Sequence, residues 1–246
     1  MSLQKHCRKI SHHIIGAMKN GAAQSRLLLA VETLAIEKRP ELERLKRGRI
    51  GLKRPDFIWH YLLQSFATMG RASGSKGLIQ NQNNYRRVTY GALSKLTPGR
   101  RRKEVHEVCH VAKIRMPDIK AQYILDCFDY VKRMGGPEKA KEVLLRQPDR
   151  EAKIKFLKGF PGIGPKYARN IMMDVYHKEF RDNIALDVRI KSISKLLGLT
   201  FTEADYSAHE GFYLEVAHLA GINGWELDRL LFNFGDEVKR KLAVAT

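Results

Sequence analysis

Apolar residues recur three and four positions apart along almost the whole chain, and two-residue alternation is absent, which predicts an all-α protein. Ile10, Ile14 and Met18 mark one face of a basic first helix. The stretch KRGRIGLKRP, residues 46–55, then interrupts the pattern with two glycines and a proline and reads as a crossing between domains. DFIWHYLLQSFATM, residues 56–69, is apolar on most of its helical surface, which predicts a central helix. The following RASGSKG and QNQNN are expected to be loop. From Met116 to Met134, one buried face is predicted at Ile119, Tyr123, Ile124, Cys127, Val131 and Met134, with Gly135 and Gly136 as the stop. Near the end, Leu227, Leu230, Leu231, Phe234 and Val238 repeat the same spacing, and Lys239, Arg240 and Lys241 fall where a helix dipole favours cations.

Composition narrows the partners. The 246 residues are 43% hydrophobic, enough for a substantial core, yet 45 Lys and Arg against 26 Asp and Glu leave a formal net charge of +19. Such an excess favours a polyanion, nucleic acid first and an anionic membrane surface second. Nothing in the sequence is apolar for long enough to span a bilayer, and no leader with a cleavage site precedes the first helix, so a soluble intracellular protein of the cytoplasm or nucleoid is expected. The three cysteines, Cys7, Cys109 and Cys127, are odd in number and far apart, which argues against a disulfide framework.

Two stretches carry candidate chemistry. HEVCH, residues 106–110, fits the zinc-hydrolase pattern His-Glu-x-x-His. No third ligand follows at a recognisable spacing, and Arg100, Arg101, Arg102 and Lys103 oppose a divalent cation. The plainer reading is an amphipathic helix with Val105, Val108, Cys109 and Ala112 buried and His106 and His110 on its flank. The second stretch is FLKGFPGIGPKYARNIMMDVYHKEFRDNIALD, residues 156–187. A helix ends at Lys158 and Gly159, Gly162 and Gly164 bracket Ile163, and Pro165 opens a second helix striped by Ala168, Ile171, Met172 and Val175. Glycines there let a phosphate reach the exposed amides of the second helix. Taken alone, Lys166 reads as a phosphate counter-charge and Asp187 as a helix N-cap.

The hairpin with its lysine and downstream aspartate, FLKGFPGIGPKYARN and then ALDVRI, resembles the helix-hairpin-helix DNA glycosylase superfamily of endonuclease III and 8-oxoguanine DNA glycosylase. Weaker similarity, including LLQSFAT, extends it to roughly residues 55–200. The resemblance implies two helical domains, residues 54–180 carrying the hairpin at about 153–176, and residues 1–53 plus 181–246, with a DNA groove between them. It implies Lys166 as the nucleophile, from one lip, and Asp187 as the catalytic carboxylate, from the other. Lys158, Gly162, Ile163, Gly164 and Arg169 would contact DNA, and Phe66, Arg71 and Lys76 belong to the region that fills the gap left by an extruded nucleotide. The main-chain carbonyls of Lys158, Phe160 and Ile163 map to a monovalent-ion site. The four clustered cysteines of endonuclease III are missing, so no iron–sulfur cluster is expected and no cofactor is required. Arg189 stands where many relatives have histidine, and the lysine-to-aspartate segment is somewhat long.

The implied activity is that of a bifunctional DNA glycosylase and abasic-site lyase removing an oxidised base from duplex DNA, as a monomer. A non-catalytic helix-hairpin-helix DNA-binding protein and a monofunctional glycosylase are the alternatives.

Overall fold

A computed structural model describes residues 21–70, 72–202 and 205–244; Arg71, Cys7 and the basic stretch with Ile10, Ile14 and Met18 lie outside them. Among the described residues the chain is helical, without a strand. It forms two compact units, one of Gly48–Glu179 and one of residues 1–47 and 180–246. One division falls inside KRGRIGLKRP.

The 48–179 unit is built around the helix Phe57–Thr68, which buries Phe57, Ile58, Trp59, Leu62, Leu63 and Phe66. A helix apolar on nearly every side has to be surrounded. Its neighbours include the helices Pro117–Arg133, Pro137–Leu145 and Pro165–Met173. Trp59 donates its indole N–H to the Val88 carbonyl at 2.8 Å, and its ring meets Phe128 edge-on. Buried aromatics therefore keep their one polar atom satisfied. Arg101, one of the four basic residues ahead of HEVCH, lies over the Phe128 ring and donates to the carbonyls of Leu93 and Leu96 at 3.0 Å.

Two expectations are corrected in this unit. RASGSKG and QNQNN are not loop: residues 72–79 coil as short helical turns, and Gln82–Arg87 is a helix whose N-cap, Asn81, accepts the amides of Asn83 and Asn84. Glycine here serves close packing. A Cβ on Gly77 would collide with the carbonyl of Ala112, so the small residue lets the two backbones touch. In Pro117–Arg133 the buried face is Ala121, Ile124, Cys127, Phe128 and Val131, while Ile119 points to solvent.

The other unit draws on both chain ends. A helix over 21–37 packs Leu27, Val31 and Leu34 with Leu42 of Arg39–Lys46. Val188–Leu196, Tyr206–Leu219, Gly224–Asn233 and Gly235–Val244 complete the core with Ile190, Ile193, Tyr213, Val216, Leu227, Leu230, Leu231, Val238 and Leu242. The last predicted helix is thus two, interrupted at Phe234. Ahead of Val188, residues 183–187 run without helix, and Asn183 to Leu186 are buried.

Candidate active site

The hairpin is assembled by local chemistry. Asp149 caps the helix Arg150–Lys158 by accepting the Ala152 amide at 2.8 Å, and the buried Lys153 of that helix is held by the Gln147 carbonyl and both oxygens of Glu179. After Gly159, the Ile163 amide donates to the Phe160 carbonyl at 3.0 Å, closing a four-residue turn with Pro161 second and Gly162 third. Gly162 has φ +78°, the left-handed value a type II turn demands at that place. A second constraint coincides there. A Cβ on Gly162 would come within 2.5 Å of the Tyr123 ring and 3.0 Å of Phe66.

Gly164 behaves differently. It is extended at φ −88°, and a Cβ there meets nothing within 4 Å. Protein packing leaves this glycine unconstrained, and the space beside it opens at the start of the helix Pro165–Met173. Gly164 supplies no side-chain cap to that helix. Pro165 lacks an N–H, so the first amides at this end belong to Lys166 and Tyr167. Lys166 is half-buried in the first turn, its Nζ 5.2 Å from the centre of the Tyr167 ring. Arg169 folds back on the Pro165 carbonyl at 3.3 Å, and Lys158 is exposed at the other side of the turn. Ile163 and Phe160 have buried side chains, so only their backbones are available to a ligand.

Phe66 corrects an expectation. It is 0% exposed and packs against Tyr123 beneath Gly162, a support for the turn rather than a wedge for DNA. The end of a central helix is already covered by neighbours, and that outweighs its position relative to the wedge. Lys76 is exposed in the 75–79 turn, and Arg71 lies outside the described residues.

Asp187 belongs to the other unit, where it caps Val188–Leu196: its Oδ1 accepts the amides of Arg189 at 2.9 Å and Ile190 at 3.1 Å. A half-buried carboxylate clamped by two amides is fixed in orientation. Beside it, the Arg189 guanidinium lies 4.1 Å above the Phe232 ring and donates to the Phe232 carbonyl at 3.3 Å. These two residues, with Asn233, Phe234, Asp236 and Arg240, line a cavity of about 500 Å³. Phe232 escaped the sequence reading, though an aromatic out of step with the buried stripe of its helix was a usable signal. It is 48% exposed.

HEVCH lies on the helix Pro98–Val111 with Val105, Val108, Cys109 and Ala112 buried. His106 Nδ1 and His110 Nε2 both approach Oδ1 of Asp118, at 3.2 and 2.9 Å. Among the described residues no group of three or more His, Cys, Asp or Glu is arranged to hold a metal ion. None of the described helices is long and apolar enough to cross a membrane.

The all-helical fold is similar to that of solved 8-oxoguanine DNA glycosylases. The similarity is to the 8-oxoguanine DNA glycosylase of Thermotoga maritima, with a TM-score of 0.65 over 86% of this chain and 96% of that one at 16% identity. It extends to the 8-oxoguanine glycosylase/lyase of Methanocaldococcus jannaschii in complex with a 15mer DNA containing 8-oxoguanine, with a TM-score of 0.66 over 85% of this chain and 97% of that one at 15% identity. No family model matches the sequence, and no curated protein matches it either.

Proposed function

We propose that this chain is a base-excision DNA repair enzyme, a DNA glycosylase with abasic-site lyase activity that removes an oxidised base from duplex DNA. The observation that carries the reading is Lys166 in the first turn of a helix that follows a glycine-bent turn, in a chain with the fold of 8-oxoguanine DNA glycosylases. The open space at Gly164 and the amides of Lys166 and Tyr167 suit a backbone phosphate. Lys158 and Arg169 add charge on either side.

In this reading the neutral Lys166 amine attacks deoxyribose C1′, the N-glycosidic bond breaks, and the departing base takes a proton. Asp187 faces the positive charge that develops on the sugar, a fixed electrostatic role. Loss of the amine proton and ring opening leave an imine between Nζ and C1′. Removal of a C2′ proton then expels the 3′ phosphate by β-elimination, and water hydrolyses the imine to free the enzyme. Amine and carboxylate suffice, so no cofactor enters any step. A monovalent cation on the carbonyls of Lys158, Phe160 and Ile163 would serve only to brace the turn, where the Phe160 oxygen already accepts one amide.

The first substrate to assay is a duplex with a single 8-oxoguanine, followed by oxidised pyrimidines and a bare abasic site. Borohydride is expected to trap wild-type protein covalently on damaged or abasic DNA. Lys166→Gln is expected to abolish trapping while DNA affinity stays within about threefold, because the amine is one cation among several. Wild-type protein that binds DNA but never traps or excises would leave a binding protein instead. Base release without strand cutting would mark a monofunctional glycosylase.

A further inference from the structure

We infer that Glu210 and Asp228 are positioning residues that hold the Asp187 carboxylate in place through the backbone of residues 183–187, an inference that rests on the catalytic reading of Asp187. Residues 183–186 are buried and run without helix in a unit whose described elements are all helices, so no helical ladder serves their backbone. Buried amides without acceptors are costly. Side chains meet the need instead. Glu210 Oε1 accepts the Ile184 amide at 3.0 Å and the Asn183 side-chain amide at 2.8 Å, and Asp228 Oδ1 accepts the Ala185 amide at 2.9 Å. Tyr206 donates its hydroxyl to the Ile184 carbonyl at 2.9 Å.

Ile184 is gripped from the helix Tyr206–Leu219 and Ala185 from Gly224–Asn233, a clamp closed by two different elements. Glu210 and Asp228 are only 6% and 4% exposed. Glu210 also holds the Asn183 side chain, and Asp228 Oδ2 lies 3.9 Å from the Arg229 guanidinium, so both carboxylates are themselves fixed, and charge-assisted bonds are the stiffer ones. Leu186 is anchored in the core, and the next residue is Asp187. A shift of the clamp thus reaches the carboxylate within two or three residues, and misplacement of a catalytic group by about 1 Å is enough to slow a reaction severely.

The test pairs single-turnover excision on a duplex with one 8-oxoguanine with amide hydrogen exchange on the free protein. Asp228→Ala and Glu210→Ala remove the acceptors; Asp228→Asn and Glu210→Gln keep an acceptor oxygen. The alanine variants are expected to lose about tenfold or more in the rate constant, with DNA affinity within about threefold, and the amide variants to stay within about threefold of wild type. Exchange at the Arg189 and Ile190 amides, which report the Asp187 cap, should accelerate in the alanine variants and not in the amide variants. A merely structural role would lower thermal stability and active fraction yet leave the rate constant and those two amides unchanged, and that result overturns the inference. Should an alanine variant fail to fold, Tyr206→Phe removes one bond of the same clamp from a half-buried position and is expected to show the same two effects in weaker form; unchanged values there overturn it equally. If wild-type protein neither excises nor traps on any lesion, the enzyme reading falls, while exchange at Arg189 and Ile190 still decides whether the clamp positions Asp187.

Discussion

His60 shows how much one side chain can depend on its surroundings. Burial, reinforced by the Arg54 charge and opposed in part by Asp56, pushes its pKa down to about 4, and its Nδ1 lies 2.8 Å from the Tyr85 hydroxyl. The folded protein thus holds this imidazole neutral, whereas the unfolded chain binds a proton near its ordinary pKa. The stability this group contributes is complete above about pH 6.5 and drains away as the pH falls toward 4, on the order of 2 kcal/mol over that window. Denaturant unfolding from pH 7 to pH 4 is expected to show that slope, and His60→Gln to flatten it. Asp118 acts in a lower window: the hydrogen bonds from His110 and then His106 hold its carboxyl below its usual range, so its contribution is lost only under about pH 4. Spacing placed both histidines on a flank. That a carboxylate from the next helix ends between them was invisible to it, because the helix-to-helix contact is made in three dimensions.

For the elements, the glycine turn is the sharpest case. Gly162 and Gly164 look alike in GIG, but the left-handed backbone and the rings of Tyr123 and Phe66 constrain only the first. Gly162→Ala is expected to lower stability by on the order of 2 kcal/mol, from strain and overlap together. Gly164→Ala should leave the unfolding free energy within about 0.5 kcal/mol of wild type and weaken DNA binding, since its Cβ enters the space assigned to a phosphate. Equal destabilisation by the two would contradict that division. The helix ends around the turn were readable from Lys158, Gly159 and Pro165. The Gly/Ser and Asn-rich stretches were not, because Gly77 serves a close backbone contact and Asn81 a cap, and composition does not separate those uses from a loop.

At the scale of the whole molecule, the net charge of +19 sets the expectation. If DNA is the partner, the logarithm of the binding constant should fall linearly with the logarithm of salt concentration, by about 0.9 for each phosphate neutralised. Anisotropy titrations between about 50 and 200 mM salt would measure it. Lys158→Ala and Arg169→Ala should each flatten the slope by about one unit on any duplex, lesion or not. A salt-independent affinity, or substitutions that alter only lesion-bearing DNA, would remove both residues from the backbone contacts.

Local pattern was enough for the helical class, most of the buried stripes, the hairpin with Lys166 after its second glycine, and Asp187 as a cap, because helix periodicity, proline and glycine punctuation and N-cap chemistry all act within a few residues. Which surfaces are covered and which polar groups meet depends on how the helices pack. Burial turned Phe66 from a wedge into a support. The Arg189 and Phe232 cavity, the histidine pair on Asp118, and the grip of Glu210 and Asp228 on the chain before Asp187 join residues from 8 to 43 positions apart. Such contacts exist only once packing has brought separate helices together, and no local pattern encodes their distance.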